Sequence, residues 1–217
     1  YLDLEGNHLR ENGCVALATL LRYSAKALQY LYLSNTDIND DGIEALVTTL
    51  ANCNHLEELL LSENPSITTR GWQSFATILE APNSNLEVLG LRRNNINDEG
   101  VASFANVLVN NRTLHVLNLD NNQSITANGW EAFTNLLCDT SSVNATFLSN
   151  HTLLHMGDEM DENNIIGPLL HFNGGINKIE VAAIKILQSH DDFDMLPFFE
   201  WEFKVLPMVL SWLERAS

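Results

Sequence analysis

Leu2-Asp3-Leu4-Glu5-Gly6-Asn7-His8-Leu9 stands at the head of the chain, and its apolar frame keeps returning. It comes back as Leu31-Tyr32-Leu33 to Ile38, Leu59-Leu60-Leu61 to Ile67, Leu89-Gly90-Leu91 to Ile96 and Leu117-Asn118-Leu119 to Ile125. Thr146-Phe147-Leu148 to Leu153 reads as a worn sixth copy. The second leucine of each copy falls at Leu4, Leu33, Leu61, Leu91, Leu119 and Leu148, which by subtraction gives steps of 29, 28, 30, 28 and 29 residues. Repetition at that period means that one small unit recurs, each copy burying its apolar face against its neighbours.

Each unit reads as strand, tight turn, glycine, helix and return loop. In Leu28-Gln29-Tyr30-Leu31-Tyr32-Leu33, Leu31 and Leu33 point to the same side, as a strand with one buried face requires. Three residues past the second leucine stand Asn7, Thr36, Asn64, Asn94, Asn122 and His151. A corner at that place leaves backbone N–H and C=O groups inside, and a short amide side chain satisfies both kinds. Thr36 and His151 are therefore expected to weaken their corners. Gly13, Gly42, Gly71, Gly100 and Gly129 open the helices. Four residues on come Leu17, Leu46, Phe75, Phe104 and Phe133, and eight residues on come Leu21, Leu50, Leu79, Leu108 and Leu137. That spacing lays one apolar stripe along each helix, facing back toward the strand, and its aromatics read as core packing.

The L-x-L-x-x-N core at this period resembles the leucine-rich repeats. Units three and five are more alike than neighbours: Asn64-Pro65-Ser66-Ile67-Thr68 with Gly71-Trp72 matches Asn122-Gln123-Ser124-Ile125-Thr126 with Gly129-Trp130. Units two and four share Asp37-Ile38-Asn39-Asp40 and Asn95-Ile96-Asn97-Asp98. Alternation of this kind, with a full helix in every unit, is similar to the ribonuclease-inhibitor subtype over residues 1–155. The resemblance implies an α/β fold, a leucine-rich-repeat solenoid curved into a horseshoe, with parallel strands on the concave face and helices on the convex face.

Residues 156–217 are expected to close the array as an α-helical cap, because a terminal repeat has no neighbour to cover its outer face. An acidic loop, Asp158 to Glu162, leads into an expected helix from Asn177 to His190, whose apolar residues lie nearly all around it and predict that it is well buried. Asp194-Met195-Leu196-Pro197 then offers a helix start, and Pro207 is expected to kink or split that last helix. The density of Phe198, Phe199, Trp201 and Phe203 also suits docking of another domain. The run is similar to the closing segment of large algal families of such repeat proteins.

Net charge is −17, from 28 acidic against 11 basic side chains. Phosphate backbones need clustered Lys and Arg, and anionic membranes repel such a chain, so neither nucleic acid nor membrane is an expected partner. An acidic solenoid suits protein partners of basic or mixed charge. Cys14, Cys53 and Cys138 are odd in number and lack metal spacing, which points to a reduced, cytoplasmic or nuclear compartment. No run of 18 apolar residues occurs. Sequons at Asn111, Asn122, Asn144 and Asn150 carry little weight, since Asn122 falls on an inward corner. Because Tyr1 lies inside a strand, the chain reads as the C-terminal part of a longer array whose oligomeric state the sequence leaves open.

Site chemistry is sparse. Asp37-Ile38-Asn39-Asp40-Asp41-Gly42 matches the opening of an EF-hand loop, but the closing bidentate Glu is replaced by Thr48. Its counterpart, Asn95 to Gly100, marks both stretches as turn and helix-capping material. His151 and His155 read as a corner residue and a solvated one, not as zinc ligands. No catalytic set, metal site or cofactor is expected.

Function is expected on the concave strand face. The residue between the leucines runs Asp3, Tyr32, Leu60, Gly90, Asn118 and Phe147, and two residues earlier runs Tyr1, Tyr30, Glu58, Val88, Val116 and Ala145. Beyond the strand come Arg92 and Asp120, then Glu63 and Arg93. Tyr and Arg are over-represented among interface hot spots. Tyr30, Tyr32, Glu58, Leu60, Glu63, Arg92, Arg93, Asn118, Asp120 and Phe147 are the expected partner-binding residues of a non-enzymatic interaction module. The repeat subtype implies two rivals: a Ran GTPase-activating type of regulator, and the ligand-sensing region of a NOD-like receptor type of protein.

Overall fold

The computed structural model describes residues 1–24, 27–157, 166–175 and 177–190. Five strands alternate with helices: β1 Leu2–Asp3, α1 Arg10–Ser24, β2 Tyr30–Tyr32, α2 Asp40–Leu50, β3 Glu58–Leu60, α3 Thr69–Ala76, β4 Val88–Gly90, α4 Asp98–Leu108, β5 Val116–Asn118 and α5 Ala127–Leu137. Neighbouring strands pair in parallel in the order β1-β2-β3-β4-β5, as a solenoid that adds one strand per turn demands. Register is that of the sequence columns: Leu31 pairs Leu59, Leu59 pairs Leu89, and Leu89 pairs Leu117.

The core lies between sheet and helices. Leu31, Leu33, Leu59, Leu61, Leu89, Leu91 and Leu117 are fully or almost fully buried, with Phe75, Phe104 and Phe133 from the helices. Trp72 packs edge-on to Phe75 at 5.8 Å between ring centroids and lies 6.2 Å from Phe104. This is α/β architecture with the strand face opposite the helical face.

The corner asparagines perform the expected task. Asn122 Oδ1 accepts from the Asn94 and Ile96 amides at 2.9 and 3.0 Å. Its Nδ2 donates to the Leu91 and Leu119 carbonyls at 2.9 and 2.8 Å. Asn64 repeats the pattern, taking the Thr36 and Ile38 amides and giving to Leu33 and Leu61. Thr36 differs: its hydroxyl donates to Leu33 within its own unit, with no side-chain bond to unit one among the described residues.

The alternation of units also has a cause. Asp40 at the start of α2 accepts the Thr68 amide and hydroxyl, both at 2.6 Å, and Asp98 holds Thr126 in the same way at 2.7 and 2.6 Å. Each even unit thus grips the helix start of the next odd one. A Cβ on Gly71 would lie 2.5 Å from Asp40 Oδ1, and one on Gly129 would lie 2.6 Å from Asp98 Oδ1, so those two positions need glycine. The EF-hand-like stretch is capping material, with Asn39 and Asn97 accepting the amides of Gly42 and Gly100.

The sixth unit departs from expectation. Val143–Leu148 is a helix, α6, not a strand: Ser142 caps it by accepting the Ala145 amide, and Thr146 is turned inward to Asp139. Only one leucine of the strand frame survives there, so little apolar burial opposes the helix. The repeat resumes at Leu153, 39 residues after Leu114 by subtraction. Leu154 and His155 both donate to the His115 carbonyl, as Glu87 and Val88 do to Glu57, and His155 bridges Val116 in parallel. Leu153 and Met156 fill the core positions. Asn150 is therefore the counterpart of Asn111, each capping the amide three residues on. Asn111, Asn122 and Asn150 are buried, leaving Asn144 as the exposed sequon.

Two further helices, α7 Ile166–Asn173 and α8 Lys178–Ser189, pack on α5 and α6. The expected helix at α8 is present, but it is buried on one face only and not well buried all around. Val181, Ala182, Lys185 and Ile186 face inward while Ile179, Ile184 and Leu187 are exposed. Lys185 is 1% exposed. Its ammonium donates to the Leu137 carbonyl at 2.6 Å, Asn173 Oδ1 at 2.7 Å and the Asn150 carbonyl at 3.3 Å. His151 is no corner residue; its Nδ1 lies 3.2 Å from Lys185 and its Nε2 3.0 Å from the Phe147 carbonyl, which fixes the neutral Nε2–H tautomer. The acidic loop from Asp158 and the aromatic tail beyond His190 lie outside the described residues.

Candidate protein-binding face

The strand face presents side chains in columns set by the pleat. One column aligns Tyr30, Glu58, Val88 and Val116, with His155 bridging at the far side; the next aligns Asp3, Tyr32, Leu60, Gly90 and Asn118. Tyr30, Tyr32, Leu60, Val88 and Val116 are all half-buried, forming one aromatic-apolar strip across four strands. Gly90 is the low point of its floor: a Cβ there would meet Leu60 Cδ2 at 2.7 Å, so the leucine leans into the space the glycine leaves.

Tyr1 packs over the strip's N-terminal end, edge-on to Tyr32 at 5.1 Å and 6.5 Å from Tyr30. Desolvation and the adjacent Glu58 carboxylate raise the Tyr32 phenol above its ordinary value. The Tyr32 phenol therefore keeps its proton at neutral pH and is able to donate. Glu57 and Glu87 flank the strip where the strands begin, Glu58 stands in it between Tyr30 and Val88, and Glu57 is held by the Gln29 side-chain amide at 2.8 Å. Where the strands end, Glu63 and Arg93 pair at 3.1 Å. Both occupy left-handed backbone at the turn, with φ of 59° and 55°. Arg92 is exposed, and among the described residues it has no ion-pair partner.

The structure thus brings together Tyr30, Tyr32, Glu58, Leu60, Glu63, Arg92, Arg93 and Asn118. It does not place the other two expected residues with them. Phe147 is in α6, because the repeat resumes at Leu153, later than the leucine spacing predicts, and reaches the sheet only through the His155 bridge. Asp120 is buried at the closing end of the sheet, where its carboxylate faces Gly157. Val88 and Val116 were overlooked as site residues: hot-spot statistics favour aromatics and charges, but register makes these valines continuous with Leu60. Among the described residues no group of three or more His, Cys, Asp and Glu side chains could hold a metal. Nor, among them, is any helix long and apolar enough to cross a membrane.

Known proteins share this frame. The family described as "Leucine Rich repeat" matches residues 26–47, 83–105 and 110–133. A solved structure of leiomodin-1 actin-binding site 2 superposes with a TM-score of 0.60 at 17% identity, covering 82% of this chain and 95% of that one. The tropomodulin C-terminal domain of Caenorhabditis elegans superposes with a TM-score of 0.54 at 15% identity, covering 83% of this chain and 93% of that one. At such identities the likeness is one of fold. No curated protein sequence matches the chain. Repeat frame, parallel register, asparagine corners and family match agree: the chain carries leucine-rich repeats, and its alternating units are consistent with the ribonuclease-inhibitor-like subtype.

Proposed function

We propose that this chain is a non-enzymatic protein-interaction module that holds a partner of basic or mixed charge on its concave strand face. The observation that carries the reading is the strip Tyr30, Tyr32, Leu60, Val88 and Val116 on the solvent side of the sheet, with the Glu58 carboxylate set in it between Tyr30 and Val88. Side chains there are not needed for the core, so apolar residues in them lower solubility without stabilising the fold unless something covers them. Two tyrosines and Arg92, which has no ion-pair partner among the described residues, supply the residue types that dominate interface energetics.

Affinity capture from native extract tests it, using the wild-type chain beside a Tyr32→Glu, Leu60→Glu, Arg93→Glu variant whose fold is checked by circular dichroism. A protein held by the first and lost by the second supports the concave face; equal capture by both overturns it. Because the leiomodin-1 fragment is described as an actin-binding site, co-sedimentation with actin filaments is run on the same pair. Stimulation of GTP hydrolysis by a small GTPase of the Ran type would replace this reading with the regulatory one.

A further inference from the structure

We infer that the segment bound on this face is an amphipathic α-helix of three to four turns with a basic flank. The inference rests on the concave-face reading above and narrows it to one class of ligand. Three features converge on it.

Backbone accounting comes first. Strand amides and carbonyls on the face are consumed in the parallel ladder, for example Leu33 N to Leu60 O at 2.8 Å and Leu61 N to Gly90 O at 2.8 Å. An extended peptide adds to a sheet through a free edge, and the middle of a face offers none. A segment laid on the apolar strip must therefore satisfy its own N–H and C=O groups, which a helix does and an extended chain does not.

Dimensions agree. From β1 to β5 the face crosses four strand spacings, on the order of 19 Å at about 4.8 Å each. A helix of about 13 residues spans that length at about 1.5 Å per residue. Its apolar residues at i, i+3, i+4, i+7 and i+11 would meet Tyr32, the Leu60–Gly90 step and Val116 in turn.

Charge then sets polarity and orientation. Glu57 and Glu87 line one side of the strip, Glu58 stands in it between Tyr30 and Val88, and Asp3 and Glu5 lie at its N-terminal end. The opposite side carries Arg92 and the Glu63–Arg93 pair. A ligand helix with lysines or arginines along one flank and a carboxylate on the other fits only one way round.

The test is fluorescence anisotropy with three labelled 16-residue peptides. The first is a helical Leu/Lys peptide with leucines at i, i+3, i+4, i+7 and i+11. The second has the same composition with the apolar stripe scrambled, and the third replaces lysine by glutamate. The expected result is saturable binding of the first, at least tenfold weaker binding of the other two, and weakening with salt. Leu60→Asp and the double variant Glu58→Lys, Glu87→Lys should each weaken the first peptide at least tenfold, with circular dichroism unchanged. Equal affinity for the scrambled peptide would reduce the effect to net charge and overturn the inference, as would indifference to both variants or no binding at all. The concave-face reading fails separately, when capture from extract survives the triple variant. Loss of capture together with indifference to the peptides would keep the face and discard the helix.

Discussion

Asn122 and Lys185 do the same job in two parts of the molecule with opposite chemistry. Inside the solenoid, Asn122 uses a neutral amide that both accepts and donates, so it stitches the Leu91 and Leu119 carbonyls to the Asn94 and Ile96 amides of adjoining turns. At the C-terminal end the unmet groups are of one kind. Helices finish there, and the last carbonyls of a helix have no partners of their own. An ammonium donates only, and Lys185 collects the Leu137 carbonyl closing α5, the Asn150 carbonyl beyond α6 and the Asn173 side chain closing α7. A cation also suits the negative ends of helix dipoles. A repeat can be stitched by a neutral group used again and again; its end needs a donor made for one place.

The largest expected effect lies in the ladder. Asn122→Ala leaves two buried amides and two carbonyls unmet, a loss of about 4 kcal/mol after partial relaxation. The midpoint of urea unfolding measures it. A loss under about 1 kcal/mol would mean that the corner side chain is replaceable by water and the comparison is empty.

Lys185→Met is expected to lose less, about 2 kcal/mol at pH 7, because the unmet acceptors are partly offset by relief of a buried charge. The pH dependence makes the sharper test. Desolvation pushes the Lys185 ammonium down to about 8 from 10.5. Between those values the unfolded chain holds a proton that the folded chain lacks, so this group makes stability rise with pH across the window, by about 3 kcal/mol at most. Cys14, pushed up to about 11 by burial, pulls the other way in the same range. The readout is therefore wild type minus Lys185→Met, which should grow from pH 8 to 10.5. His151 is held down to about 4 by burial, then by the Lys185 charge. Its contribution is complete above about 6.5 and is lost as pH falls toward 4, on the order of 2 kcal/mol. A stability difference flat with pH in both windows would refute the buried-cation picture.

The same contrast explains what the sequence made legible. Strand register, the core leucines, the corner asparagines and the columns of the binding face all derive from a period, because identical local chemistry recurs at Leu33, Leu61, Leu91 and Leu119. Where the period fails, so did the reading. Leu148 lies 29 residues after Leu119 by subtraction and mimics the next strand, yet Ser142 starts a helix there and the strand resumes at Leu153. That slip removed Phe147 from the face and gave His151 the wrong neighbours. Lys185 left one faint signal: a lone charge inside the inward stripe of Val181, Ala182 and Ile186. Its acceptors come from the ends of α5 and α7 and from the segment after α6, and no spacing rule announces such a meeting.

A smaller effect tests whether even units grip odd ones. Asp98→Ala frees the Thr126 amide and hydroxyl at the start of α5, a loss of about 1.5 kcal/mol for a half-exposed charged cap. It also opens the space that requires glycine at position 129. Gly129→Ala should accordingly cost measurably less in the Asp98→Ala background than alone, as a double-mutant cycle would record. Additive losses would mean that the close approach of Asp98 to Gly129 is not what forbids a side chain there.

Thr36→Asn is the mildest change and the most specific, because it extends the ladder instead of breaking it. Thr36 is fully buried, and its hydroxyl bonds the Leu33 carbonyl of its own unit at 2.6 Å and Asn64 Oδ1 of the next unit at 3.3 Å, reaching nothing in unit one among the described residues. By the register of Asn64, an amide at position 36 would accept from the Asn7 and Leu9 amides and donate to the Leu4 carbonyl. The Leu9 amide now bonds backbone carbonyls at 3.0 and 3.1 Å, so the net gain is that of one or two added bonds, about 1 kcal/mol. Hydrogen exchange resolves it by unit: protection should rise in β1 and the turn after it while β4 and β5 stay unchanged. A uniform rise would mean that the solenoid opens only as a whole. No rise would mean that threonine already closes that corner as well as asparagine can.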